Sequence, residues 1–278
     1  MQTKIKNLIQ KLPENALRGV VIAFAMLLAV AVGCVVFLPG TSVLPESTEL
    51  SSLLVPNPYT SGHFSYVGDY LSCNAGTSYL GIDVSEWQGD IDWQQVSDAG
   101  VEFVMIRVGW RGSEQGLLAE DTMAQTYYEG AKSAGLRVGA YFFSQATNAE
   151  EAKEEARFAL DIVSGWQLDL PIAYDWEYIS DESRTASVDN ETLNLCVAAF
   201  CDEIRQAGYD PMLYFNTHHA VYRLDLESLR DYGFWFAFYD GMLDTDFRVD
   251  MWQYTATGRV PGIEVDVDIN LHFVYEES

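Results

Sequence analysis

Apolar and polar positions along most of this chain follow two periods, and the order in which they occur predicts an architecture. From residue 79 onward, short apolar runs rich in β-branched and aromatic residues read as buried strands. They fall at Tyr79–Val84, Phe103–Trp110, Arg137–Ser144, Pro171–Tyr178, Met212–Asn216, Phe234–Tyr239, Asp250–Tyr254 and Val265–Leu271. Segments with a helical period follow the first five of them: Asp92–Ala99, Asp121–Ala134, Glu150–Val163, Glu191–Ala207 and Leu226–Tyr232. Gly100, Gly135 and Gly208 stand where helices should end, and Asn148 and either Asp189 or Asn190 stand where N-caps belong.

Alternating strand and helix implies parallel pairing with right-handed crossovers, and eight strands imply closure. The expected fold is therefore α/β, a TIM-like (β/α)5β3 barrel over residues 79–278, small because three helices are missing. An open doubly wound sheet is the alternative, but no glycine-rich phosphate turn follows any of the strands.

The first 78 residues follow a different pattern. Residues 1–18 are polar and basic, with Lys4, Lys6, Lys11 and Arg18 against Glu14 alone. Residues 19–38 form an unbroken apolar run, long enough to cross a bilayer as a helix. Basic residues before it and none soon after predict a single-pass anchor with a cytoplasmic N-terminus and an extracytoplasmic domain. Ala29-Val30-Ala31 has the form of a cleavage site, which keeps secretion after signal removal as the alternative. Either version exports the remainder. Residues 39–78 lack Lys and Arg and are rich in Ser, Thr, Pro, Gly and Tyr, the composition of a linker. For the Tyr-rich part from Phe64 to Tyr79, a segment packed on the domain is the alternative.

Charge and cysteines narrow the function classes. A formal net charge of −25 argues against nucleic acid as a partner, because that needs a basic footprint. Cys34, Cys73, Cys196 and Cys201 show no zinc-like spacing. Cys196 and Cys201 lie on one expected helix at a spacing that puts their Cα atoms beyond about 7 Å, too far for a disulfide. The four histidines, His63, His218, His219 and His272, also lack ligand spacing, so neither a metal nor a cofactor is expected.

Candidate chemistry centres on Pro171–Tyr178. Side chains alternate along a strand, so Asp175 and Glu177 point the same way, about 6.5–7 Å apart along the chain. Two carboxyls are expensive to bury on one face without a use, and such a pair suits glycosidic bond cleavage, one protonated and one charged. A strand at a sheet edge with a wet face is the alternative. Barrel closure makes the first and last strands neighbours, so Asp83 and Asp268 should lie side by side, across the mouth from Asp175 and Glu177. Asp266 shares a face with Asp268. Among the aromatics, Tyr141, Tyr214 and Trp252 are candidates for substrate contact, whereas Tyr174, Trp176 and Tyr178 fall on the opposite face and should pack.

Six segments in order then carry a resemblance: GIDVSEWQG at 81–89, FVMIRVG at 103–109, VGAYFFSQA at 138–146, LPIAYDWE at 170–177, MWQYTATGRVPGI at 251–263 and VDIN at 267–270. Together they resemble family 25 glycoside hydrolases, the Chalaropsis-type lysozymes. The resemblance implies a flattened barrel and cleavage of the β-1,4 bond between N-acetylmuramic acid and N-acetylglucosamine. Peptidoglycan glycan strands are then the partner, and a monomer is expected. It also implies Glu177 as general acid, Asp175 as the assisting carboxylate, and Asp83 and Asp268 as the other site acids. Phe142 stands where many relatives have histidine, which bears on fine specificity. Nearby carboxylates and rings should keep Glu177 protonated near neutrality, while Asp175 should stay ionised on hydrogen-bond donors. Retaining, inverting and substrate-assisted routes all stay open. Alternatives for the whole chain are a chitinase-like glycosidase, against which Ala173 stands where that motif wants aspartate, and a catalytically silent wall-binding module.

Overall fold

The computed structural model of this protein describes residues 53–275. In chain order its strands are β1 (Phe64–Val67), β2 (Tyr70–Cys73), β3 (Thr77–Val84), β4 (Phe103–Arg111), β5 (Leu118–Glu120), β6 (Arg137–Ser144), β7 (Ile172–Trp176), β8 (Pro211–Asn216), β9 (Gly233–Ala237), β10 (Met251–Gly258) and β11 (Val267–Val274). Its α-helices are α1 (Trp93–Asp98), α2 (Ala124–Ser133), α3 (Ala149–Ile162), α4 (Asn190–Gln206) and α5 (Thr217–Tyr222). Hydrogen bonding runs β3–β11–β10–β9–β8–β7–β6–β4, and β4 returns to β3, so eight strands close a barrel.

Helices α3 and α4 form where an apolar stripe follows a capped start. Asn148 accepts from the backbone N–H groups of Glu150 and Glu151 at the head of α3, and Asp189 accepts from Thr192 N at the head of α4. On α4, Leu193, Cys196, Val197, Phe200, Cys201 and Ile204 are buried, the spacing of a helix that presents one face to a sheet. Cys73, Cys196 and Cys201 are buried free thiols.

Strand alternation divides the apolar residues into two groups. Phe103, Met105, Ala173, Met212, Trp235 and Met251 form a cluster of their own inside the barrel. Their chain neighbours, such as Val104, Ile106, Ile172, Tyr174, Leu213 and Trp252, belong to the larger core outside the ring. An interior so filled is a packed core, and access is left only at its ends.

Three expectations need correction. First, β11 is antiparallel to both β10 and β3, so the ring is not wholly parallel. Parallel strands need a crossover of about a dozen residues or more, and the turn from Gly258 to Val267 is too short for one. Second, Leu226–Tyr232 forms turns, and the fifth helix is α5, started by the Asn216 side chain accepting from His219 N. Third, the stretch from residue 53 to residue 78 is packed rather than extended as a linker. Three strands without helices leave the outer faces of β10 and β11 uncovered. Phe64 covers Trp252 at 5.1 Å between ring centroids, and Tyr59 covers Phe273 at 5.0 Å. Among the described residues no helix is long and apolar enough to cross a membrane. The expected span 19–38 lies outside the described residues, as do 1–18.

Closure depends on close approach at Gly81, which pairs with Phe103 on one side and Asn270 on the other. A Cβ there would lie 2.2 Å from the Phe103 ring, which is fully buried. Gly81→Ala is expected to cost about 1–3 kcal/mol through overpacking. A urea denaturation midpoint that falls with an unchanged slope checks this; an unmoved midpoint would show that the seam tolerates the methyl group.

Candidate active site

The inward positions at one end of the barrel are polar where those below them are apolar. At that end β3 supplies Asp83, β4 Arg107, β6 Tyr141, β7 Asp175, β8 Tyr214 and β10 Gln253. Asp268 pairs with Asp83 in the register of β11 against β3. Because β11 runs backwards, Asp268 reaches this end from the start of its strand, whereas Asp83 and Asp175 reach it from the ends of theirs. Glu177 follows β7 by one residue, and Tyr239 follows β9 by two.

Glu177 is off the ladder, and its backbone is held instead by a side chain. The fully buried Gln145 donates from Nε2 to the Glu177 carbonyl at 2.8 Å, while its Oε1 accepts from Thr185 Oγ at 2.9 Å. Arg184 donates to the Gln145 carbonyl and pairs with Glu151 of α3 at 2.6 Å. The loop after β7 is thus tied to the outer helix layer.

Burial dominates the electrostatics. Asp83 is pushed up to about 6 by burial, against the pull of hydrogen bonds from Asn270 and Gln253. Glu177 is pushed up to about 7 by burial and by the charge of Asp83. Asp175 and Asp268 are raised well above the usual carboxylate range, first by burial and then by neighbouring carboxylates. Arg107 opposes this at Asp175. The Arg107 guanidinium is itself held by buried Asp121 at 2.8 Å and by Glu86 at 3.4 Å. Four carboxyls in one poorly solvated mouth cannot all ionise near neutrality, so at least one proton is retained there.

The expectation that Asp175 stays ionised on hydrogen-bond donors is corrected. Asp175 Oδ1 is buried with no hydrogen-bond partner. The donors lie on Asp83, whose Oδ2 accepts from Asn270 Nδ2 and Gln253 Nε2, each at 2.8 Å.

The four acids named from sequence, Asp83, Asp175, Glu177 and Asp268, therefore come together, and Tyr141 and Tyr214 join them. Tyr141 is half-buried and lies edge-on to Trp235. Burial and the charges of Asp83, Asp175 and Asp268 push its hydroxyl up, against the pull of Arg107. Tyr214 donates to Gln253 Oε1 at 2.9 Å. Trp252 does not join them. It is fully buried outside the ring, with Nε1 donating to the Phe238 carbonyl. Alternation puts its neighbour Gln253 in the mouth instead. Phe142 also faces outward, against Phe158 and Phe200, so the departure at that position falls outside the mouth. Tyr174 and Trp176 pack as expected, but Tyr178 is 45% exposed and donates to Asp181. Asp266 pairs with Arg259 at 2.7 Å on the surface.

Sequence reasoning missed Arg107, Gln253, Asn270 and the special placing of Tyr239. The signal for three of them was parity. Asn270 stands two residues from Asp268, Gln253 lies on the same face as Met251, and Arg107 is a charge inside an apolar strand.

A family model described as glycosyl hydrolases family 25 matches residues 82–263. The autolytic lysozyme of Clostridium acetobutylicum is 31% identical over 192 residues, 68% of this chain and 54% of that protein. Lysozyme M1 of Streptomyces globisporus is 29% identical over 204 residues, 68% of this chain and 66% of that protein. Among solved structures, the modular autolysin LytC of Streptococcus pneumoniae, in complex with a synthetic peptidoglycan ligand, superposes with a TM-score of 0.62 at 28% identity, covering 71% of this chain and 47% of that one. The chain thus spans about half the length of the clostridial lysozyme and of the pneumococcal autolysin.

The raised carboxyls carry a stability signature. Glu177 rises from an ordinary 4.5 to about 7, so between those values the folded chain binds more protons than the unfolded one. Its contribution is fully present below pH 4.5 and is lost as pH rises through 7. Glu177→Gln keeps the neutral form at every pH and is expected to stabilise the fold at pH 8 by about 1–3 kcal/mol. Thermal melting at pH 4 and pH 8 checks this: the gain should appear only at pH 8, and an equal gain at both would contradict it.

Proposed function

The chain belongs to the glycosyl hydrolases family 25, and from that membership we propose that it cleaves peptidoglycan at the β-1,4 bond between N-acetylmuramic acid and N-acetylglucosamine. One observation carries the reading: barrel closure brings Glu177 into one mouth with three aspartates, where burial and the charge of Asp83 push its carboxyl up. The two lysozymes it resembles, and the peptidoglycan ligand of the pneumococcal autolysin, support the choice of substrate.

In this reading Glu177 donates its proton to the leaving glycosidic oxygen. Positive charge then develops on the sugar ring, and a carboxylate facing it lowers the barrier. Asp83 suits that task because two amide donors favour its charged form. Asp175 assists from the facing bank, where its buried Oδ1 has no partner within the protein. Tyr141 and Tyr214 flank the sugar. The apolar run 19–38 supports attachment to the membrane with the barrel outside the cell.

Glu177→Gln is expected to lower release of soluble fragments from purified walls by about 100-fold or more while wall binding persists. Mass spectrometry of parent digests should find muramic acid at the new reducing ends. Lysis by the variant at the parent rate, or N-acetylglucosamine at those ends, would overturn the assignment. Fractionation of cells making the full chain should put it with membranes; recovery in the medium would favour signal removal instead.

A further inference from the structure

Two amide side chains stand behind Asp83, and each is held from behind by a second layer of donors. Asn270 Nδ2 and Gln253 Nε2 both donate to Asp83 Oδ2 at 2.8 Å. An amide has a donor end and an acceptor end, so the end that faces a carboxyl decides whether the carboxylate or the acid is favoured. Trp235 Nε1, which only donates, lies 2.8 Å from Asn270 Oδ1, so the Asn270 NH2 must face Asp83. Tyr214 and Tyr239 both donate to Gln253 Oε1, which leaves its NH2 to donate to Asp83. Asp83, Asn270, Gln253 and Trp235 are all buried, so water does not compete for these bonds.

No other acid of the mouth is served in this way. Asp175 Oδ1 has no partner, and among the described residues no side-chain amide donates to Glu177 or Asp268. Asp83 is faced by Asp268 from β11 and by Asp175 and Glu177 from β7 and its end. Tyrosine hydroxyls face it from β6, β8 and the end of β9, at Tyr141, Tyr214 and Tyr239. From β4, Arg107 acts on Asp175 and Tyr141 while paired to Asp121 and Glu86. On β10 the facing group is Gln253, which does not titrate.

We propose that Asn270 and Gln253 are positioning residues that place the negative charge of the cluster on Asp83, and that this charge adds to burial in holding a proton on Glu177. The second half rests on the reading of Glu177 as proton donor; the placing of the charge does not. The influence runs in sequence: Trp235 fixes Asn270, the tyrosines hold Gln253 from behind, the amides hold the Asp83 anion, and the anion adds to burial in raising Glu177. Burial and the charge of Asp83 are together what raise Glu177.

The test compares the full chain with Asn270→Leu, Gln253→Met and Trp235→Phe. The third variant removes the N–H behind Asn270, together with part of a buried ring, and leaves both amides in place. Carboxyl-carbon NMR titration without substrate should show Asp83 titrating at higher pH and Glu177 at lower pH in the first two variants, by about one unit, a tenfold change in each ionisation constant. Trp235→Phe should shift both in the same direction by less. On purified walls, the pH profile of kcat/KM should narrow from both sides. The acid limb follows Asp83 upward and the alkaline limb follows Glu177 downward. Lower activity with both limbs and both titrations unmoved would overturn the proposal, because a merely structural role changes height and melting temperature alone. If a leucine or methionine variant does not fold, as judged by near-ultraviolet circular dichroism, Trp235→Phe decides the matter by its titrations. Shifted titrations in a chain that releases no wall fragments would support the placing of charge and overturn the hydrolase reading. Unmoved titrations in an active chain would do the reverse.

Discussion

Hydrogen bonding of β3 to β4 on one side and to β11 on the other is the constraint on which the rest of the structure depends. It turns an open sheet into a ring, and its register sets Asp268 against Asp83 and Asn270 against Gly81. A slip of one residue along β11 would turn Asp268 and Asn270 outward and bring apolar neighbours into the mouth. The antiparallel direction of β11 matters equally. A parallel last strand would have carried an aspartate at its start to the far end of the barrel.

Around the ring, unequal covering explains why residues 53–76 pack where they do. α3 and α4 shield β4, β6, β7 and β8, while β10 and β11 have no helix of their own. The hairpin β1–β2 and the residues before it fill that gap with Tyr59, Phe64 and Leu71. Outside the ring, at the same end as the mouth, the helix layer is tied to the sheet by charge. Arg111 pairs with Glu155 at 2.7 Å, and Ser144 donates to Glu155 at 2.6 Å and lies 2.8 Å from the Tyr174 hydroxyl. Burial pushes Glu155 up to about 7, against the pull of Ser144 and Arg111. Removing either partner of a buried pair leaves an uncompensated charge, so this network fixes where α3 sits. Through Glu151, Arg184 and Gln145, the same helix holds the backbone of Glu177.

Stability and chemistry pull in opposite directions at the mouth. Four acids with raised pKa values make the folded state less favourable as pH rises, and Asp175 lacks even the hydrogen bond that would ease its burial. A fold optimised for stability alone would place apolar groups there. Retaining the acids makes sense where a proton must be held and a positive charge met, and the side-chain amide donors are concentrated on Asp83.

Much of this was determined by the sequence on its own. Strand and helix periods are local, so eight strands, the capped helices at Asn148 and Asp189, and closure could be read from spacing. Asp83, Asp175, Glu177 and Asp268 followed from closure and from six segments in family order. What required tertiary structure was parity and direction. Trp252 and Gln253 are neighbours in the chain, and only the pairing of β10 with β9 and β11 decides which of them faces the mouth. The packing of residues 53–78 depended on an outer sheet face left bare by distant missing helices. Which carboxyl receives the amide donors was decided by side chains from β8, β9, β10 and β11 meeting at one point. Hydrogen bonds act over about 3 Å, and nothing in a linear order brings residues 170 and 187 positions apart to that distance until the barrel has closed.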